Sequence, residues 1–253
     1  MRTTHIGSLP FKSLSEACDF NSKFSLPVLF TLPNLDENDF MLSQVFGCNR
    51  PIDFDDSLLE RRINLNYTQI LDSFEEFKLQ IIGPITLLKC IKNLPASRVH
   101  DVLDWHYNNI LSLIEDRYKG RCYFFLDEPM LFDANEKEFD ILNNFLSKLS
   151  STFNKLAIHS CSQFKLNLLD QKLLDGISFE SQYLEYYRPL KHLDLFLGVV
   201  ETKGLGMKPQ IDLSRIGNNI YLTPDCGLAL GDSVIVQSVP ENLTKWGALA
   251  SLN

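Results

Sequence analysis

Short β-rich runs recur along the chain at residues 2–7, 27–31, 77–82, 122–126, 155–158, 176–179, 195–200 and 219–222. Between them lie longer segments whose apolar residues return at helical spacing. Residues 97–118 carry Leu103, Tyr107, Ile110, Leu111, Ile114 and Tyr118 on one face, with Ser97 suited to cap the first turn. Residues 136–149 repeat the pattern with Phe139, Ile141, Leu142, Phe145, Leu146 and Leu149, and residues 164–174 read as a further crossover helix. Only residues 34–65 resist, being polar and acidic with weak periodicity. Eight runs alternating with helices predict an α/β fold, a single (β/α)8 TIM-type barrel occupying residues 1–253 as one domain.

Composition agrees with that picture. The 253 residues are 45% hydrophobic and 22% charged, enough for one large core, and no repeat, low-complexity tract or linker divides them. A formal charge of −8 argues against a nucleic-acid surface, which needs a basic face. No stretch approaches the roughly 18 apolar residues of a membrane span. The opening Met-Arg-Thr-Thr-His lacks the apolar centre of a signal peptide, so a cytoplasmic protein is expected. Cys18, Cys48, Cys90, Cys122, Cys161 and Cys226 follow no disulfide framework, and reduced thiols are expected.

Candidate chemistry changes the picture more. Ser8 follows the first run, Asp127 and Glu128 the fourth, His159 and Cys161 the fifth, Glu180 the sixth, Glu201 and Lys203 the seventh, Asp225 and Cys226 the eighth. In a barrel these ends share one face, where active sites sit. His159, Cys161, Glu180 and Cys226 offer one nitrogen, two thiolates and one carboxylate, a mixed set that suits zinc. Alternation along His159-Ser160-Cys161 sends both outer side chains the same way. The same residues also read as a hydrogen-bonded barrel histidine and two small buried cysteines. Ser8 reads equally as a turn residue, and Asp127 as a cap.

At these positions the chain resembles the C-terminal catalytic domain of cobalamin-independent methionine synthases, and more closely their short single-domain relatives. The resemblance rests on Thr-Thr-His-Ile-Gly-Ser-Leu-Pro (3–10), Gln-Ile-Ile-Gly-Pro-Ile-Thr-Leu (80–87), Leu-Asp-Glu-Pro (126–129) and His-Ser-Cys (159–161). Ile-Ser-Phe-Glu-Ser (177–181), Leu-Gly-Val-Val (197–200) and Thr-Pro-Asp-Cys-Gly-Leu (223–228) complete it, in family order. It implies a methyltransferase of methionine biosynthesis, with a zinc ion held by His159, Cys161, Glu180 and Cys226 that binds the homocysteine thiol. Ile6, Gly7 and Ser8 would meet the substrate carboxylate and Asp127 its ammonium. Glu37 matches a further amine-binding glutamate, Glu180 would be the labile ligand, and Asp225 a hydrogen-bond acceptor beside the metal.

Two departures bear on the methyl donor. The family's amino-terminal folate-holding barrel has no counterpart within these 253 residues, and the histidine thought to protonate the leaving folate is replaced by Lys203 in Glu201-Thr202-Lys203. A methyl corrinoid, as methylcobalamin or on a corrinoid protein, leaves without such a proton and is the expected donor. Another thiol acceptor is the alternative within the class. Two alternatives lie outside it. One is a uroporphyrinogen decarboxylase-like lyase on the same kind of barrel, for which Arg2 is the only arginine before Arg50. The other is a silent relative that binds zinc or a thiol without turnover.

Overall fold

The computed structural model describes residues 1–250 apart from 49, 64, 188, 189, 191, 203–205, 210, 212 and 214–218. Its strands are β1 (Arg2–Thr3), β2 (Ile52–Asp53), β3 (Phe77–Ile82), β4 (Ile91–Lys92), β5 (Cys122–Asp127), β6 (Lys155–His159), β7 (Gly176–Glu180), β8 (Asp194–Val200) and β9 (Ile220–Pro224). Seven of them form one sheet in the order β1-β9-β8-β7-β6-β5-β3, parallel throughout, while β2 and β4 pair separately. All seven C-terminal ends therefore open on one edge.

The sheet is curled, because its two faces have separate cores. Alternation puts Tyr123 and Phe125 of β5, Ala157 of β6, Phe196 of β8 and Tyr221 of β9 in an inner cluster with Leu26. The intervening Phe124, Leu126, Leu156, Ile158, Leu195, Leu197 and Leu222 pack in the larger cluster under the helices. Phe196 and Tyr221 stack at 4.3 Å and 11° inside, closing the lower part of the lumen. The helices Val99–Leu113, Glu136–Ser150 and Val239–Ala250 cover the outer face with Val102, Ile110, Leu142, Leu146, Leu243 and Trp246 buried.

The expected eight-stranded barrel is met in part. Residues 27–31 stand between the two sheet edges but make only one isolated parallel bridge to each, Val28 with Lys78 and Ser8 with Thr31. Among the described residues the sheet is thus a curled seven-stranded one, and an eighth strand is not shown. Pro27, which has no N–H, contributes only its carbonyl, to Lys78 N at 2.8 Å, and Pro33 follows two residues past Thr31.

Helix expectations fared unevenly. Residues 136–149 form the helix Glu136–Ser150, opened by a capping box in which Asn135 and Glu138 bond reciprocally. The segment 97–118 is split into Ala96–Arg98, Val99–Leu113 and Asp116–Lys119, and Ser97 lies inside the first short turn instead of capping. Residues 164–174 are not a helix but two short 3₁₀ turns, Leu166–Leu168 and Gln171–Leu173. Their backbone is held by neighbours: Tyr187 Oη accepts from Phe164 N, and Asn143 bonds both Leu168 O and Asp170 N. The polar stretch 34–65 contains the helix Met41–Phe46, β2 and the short turn Asp56–Glu60.

Candidate active site at the C-terminal strand ends

Three of the four candidate metal ligands meet at the mouth of the curled sheet. His159 ends β6, Cys161 lies two residues on, and Cys226 follows β9. His159 Nε2 is 3.3 Å from Cys161 Sγ, and the two sulfurs are 3.7 Å apart. Ser178 of β7 bonds His159 Nδ1 at 2.8 Å, which orients the ring with Nε2 toward Cys161. Burial lowers the His159 pKa to about 3, aided by the Lys78 charge, so the imidazole is neutral.

Both cysteines are free thiols. Cys161 donates its S–H to Cys226, a bond that, with burial, pushes Cys161 far above the thiol range. The same bond lowers Cys226, so of the two thiols the exposed Cys226 is the one that ionises first.

Glu180, the fourth candidate, ends β7 and is committed elsewhere. Lys208 Nζ lies 2.7 Å from Glu180 Oε2 and 3.1 Å from Asp225 Oδ2, with the lysine side chain 9% exposed. Asp225 also accepts from Thr202 N and Oγ1. A one-residue irregularity between β8 and β9 at Gly198 brings Asp225 in close: a Cβ on Gly198 would stand 2.7 Å from Asp225 Cα. Lys203 lies outside the described residues; among those described, Lys208 lines the same wall as the cysteines.

Ile6, Gly7, Ser8, Asp127 and His159 line one 310 Å³ cavity, with Phe40, Met41, Leu42 and Leu230 as its apolar wall. Burial raises Asp127 to about 6, while the Gln80 amide and the Lys78 charge pull it down; its Oδ1 is 3.9 Å from His159 Nε2. Glu37 is not part of this wall: it is exposed on the loop before the helix Met41–Phe46. Buried Asp39 on that loop accepts from Leu32 N and faces inward as a structural group.

Glu128, beside Asp127, turns away from the mouth. It accepts from Ile85 N, Thr86 N and Thr86 Oγ1, capping the helix Pro84–Cys90 from a neighbouring strand. Gly83 makes room for it, since a Cβ there would overlap the Glu128 carboxyl at 2.4 Å. Sequence reasoning also passed over Lys78 and Gln80, the polar inward positions of the otherwise apolar β3. Lys78 donates to His5 O and sits 4.3 Å above the Phe125 ring, and burial brings its pKa down to about 7.

A second cavity, of 610 Å³, adjoins the first. Glu180, Gln182, Glu201, Thr202, Lys208 and Ile211 line it, and Cys161 and Cys226 belong to both walls. The imidazole nitrogen and two sulfurs are a soft donor set. As they stand, no three or more His, Cys, Asp or Glu side chains among the described residues are grouped as a metal site.

These features define an α/β protein with a curled parallel sheet and a sulfur-bearing site at its C-terminal edge. No family model matches the chain, and no curated protein sequence matches it. Among solved structures it is similar to a methyltransferase from Methanosarcina mazei, at 13% identity and a TM-score of 0.55, over 90% of this chain and 82% of that one. It is also similar to a B12-independent methionine synthase from Shewanella sp. W3-18-1 in complex with selenomethionine, at 11% identity and a TM-score of 0.47. That match covers 70% of this chain and 62% of the synthase, so the chain spans less than two thirds of the synthase's length. At these identities the likeness is one of fold.

Proposed function

We propose that the protein is a methyltransferase that methylates a small amino-acid thiol of the homocysteine class. The observation that carries this reading is the Cys161–Cys226 pair in the wall shared by two cavities. Methyl transfer needs such a junction, because acceptor sulfur and donor carbon must meet in line from two sides. The 310 Å³ cavity suits a small amino acid, with Asp127 to take an ammonium and the Ser8 region a carboxylate. The larger one suits the reactive face of a bulkier donor, for which a methyl corrinoid is the favoured class.

The donor set supports zinc at the junction. Tetrahedral zinc sets two thiolates about 3.8 Å apart, and a thiolate and an imidazole nitrogen about 3.5 Å apart. The observed 3.7 and 3.3 Å are close to those edges. His159, Cys161 and Cys226 would hold the ion, and Glu180 would join by leaving Lys208. A zinc-bound thiol is held as thiolate at neutral pH, the nucleophilic form. The chain's own residues orient the acceptor, keep His159 neutral and shield the sulfur behind Phe40 and Leu42. The bridges from residues 27–31 to both sheet edges support reading the fold as a TIM-type barrel closed by that segment.

The lyase reading has little support, since Arg2 pairs with Glu76 and Tyr221 at the opposite, N-terminal end of the sheet. The test is a methyl-transfer assay on zinc-treated protein, with homocysteine as acceptor and methylcobalamin or methyl-folate as donor. Methionine formation that disappears in Cys226→Ser is expected. Zinc binding without transfer from either donor would favour a silent relative, and full activity in Cys226→Ser would sink the mechanism.

A further inference from the structure

Gln80 presents an anomaly in the smaller cavity. It occupies an inward position of β3, two residues before Ile82, whose partner in the adjoining strand is Asp127. Its side chain lines the cavity together with Ser8, Asp127 and His159. Neither Oε1 nor Nε2 of its amide has a partner of ordinary hydrogen-bond geometry, and the one group it bears on is the Asp127 carboxyl, whose pKa it lowers. Folded proteins satisfy nearly all such atoms, and a buried primary amide whose protein partner is at best the Asp127 carboxyl leaves most of its hydrogen-bonding capacity unused. A hydrophobic side chain of the same length would fill this position at no such cost.

A primary amide offers one acceptor and two donors within about 2.3 Å of one another. That combination is complementary to a group that carries a donor and an acceptor side by side. An α-amino acid head, with ammonium and carboxylate on one carbon, is such a group. Asp127 alone is complementary only to the ammonium.

We infer that Gln80 is a substrate-binding residue that reads the α-amino-acid head of the acceptor thiol, its Oε1 accepting from the ammonium beside Asp127 and its Nε2 donating to the carboxylate. The assignment rests on the proposed acceptor class and sharpens it: the cavity selects amino-acid thiols over simple thiols of the same length. Gln80 touches no reacting atom. Its contribution is to affinity and selectivity.

The experiment compares the wild-type full chain with Gln80→Met, both treated identically with zinc, by calorimetric titration with L-homocysteine and with propane-1-thiol, which lacks the head. Gln80→Met is expected to weaken homocysteine binding about tenfold, leave propanethiol binding within about twofold, and melt near the wild-type temperature because a poorly satisfied buried amide is gone. Unchanged homocysteine affinity overturns the inference and makes the amide's partner an internal water. Equal weakening for both thiols also overturns it, since the effect is then one of packing. A lowered melting temperature with affinity intact assigns Gln80 a structural role instead. If the wild-type protein binds propanethiol but not homocysteine, the acceptor class itself fails, an outcome distinct from a failure of Gln80 alone.

Discussion

The charge asymmetry between two adjacent cysteines is the feature of the site most open to direct measurement. Cys226 is the only exposed cysteine of the six and the one whose pKa is lowered. In metal-free protein it is expected to react with iodoacetamide before the other five, as read by peptide mass spectrometry. Cys161→Ala removes the donor that stabilises its thiolate and should slow that reaction several-fold at pH 7. Added zinc should protect Cys226 if the ion binds there; equal labelling with and without zinc would count against the metal. These residues were legible in the sequence because ligand-type side chains fell in phase with strand ends. Lys208 was not, because its link to Glu180 and Asp225 joins three segments far apart in the chain.

A second residue-scale prediction concerns pH. His106, fully buried, donates Nε2–H to Ile82 O at 2.8 Å and stacks on Phe145. Burial lowers its pKa from 6.5 to about 4. Between those values the unfolded chain binds a proton that the folded chain refuses, so the stability from neutral His106 is complete above pH 6.5 and is lost as pH falls toward 4. His5 and His159 shift the same way, whereas Asp127 and Glu128, both raised, shift the opposite way. The isolated effect therefore needs a difference: His106→Gln should flatten the acid loss of stability by up to about 3 kcal/mol between pH 6.5 and 4 in urea titrations. An unchanged slope would mean that His106 is solvated in the folded protein.

At the scale of elements, two helix N-termini are satisfied in different ways, and the difference is measurable. Asn135 caps Glu136–Ser150 from its own chain segment, on the surface. Glu128 caps Pro84–Cys90 from just past the end of β5, fully buried, with three donors converging on one carboxyl. Asn135→Ala should cost about 1 kcal/mol, since water can replace the cap. Glu128→Ala leaves buried amides without partners and should cost about 3 kcal/mol or more by urea unfolding. Equal costs would show that water reaches the buried cap.

The same contrast explains how far the fold could be read. The surface cap and the helical period of residues 136–149 are local facts, and the helix formed there. Residues 164–174 show a comparable apolar spacing but form 3₁₀ turns, because Tyr187 and Asn143, from other elements, take up their backbone groups. Periodicity records which residues are buried, not what satisfies the backbone. Residues 27–31 illustrate the point for strands: the run stands between the sheet edges, yet pairing is limited to one bridge on each side.

For the whole molecule, the two cavities would make the proposed roles of acceptor and donor separable. Their shared wall is the cysteine pair, but their remaining linings do not overlap. Leu42 projects into the smaller cavity and is half-buried, while exposed Gln182 borders the larger one. Leu42→Trp should weaken homocysteine binding by about tenfold or more through lost volume, with little effect on a saturating donor. Gln182→Trp should reverse the pattern, leaving homocysteine affinity within about twofold while lowering turnover with methylcobalamin at subsaturating donor. Steady-state kinetics with each substrate varied separately, together with homocysteine titrations, decide between them. If both variants raise the KM for the same substrate, the cavities act as one site and a two-sided approach to the sulfur is wrong. If they divide as expected, the curled sheet does more than gather His159, Cys161 and Cys226 at its edge: it keeps the proposed acceptor and methyl donor on opposite sides of one sulfur-lined wall.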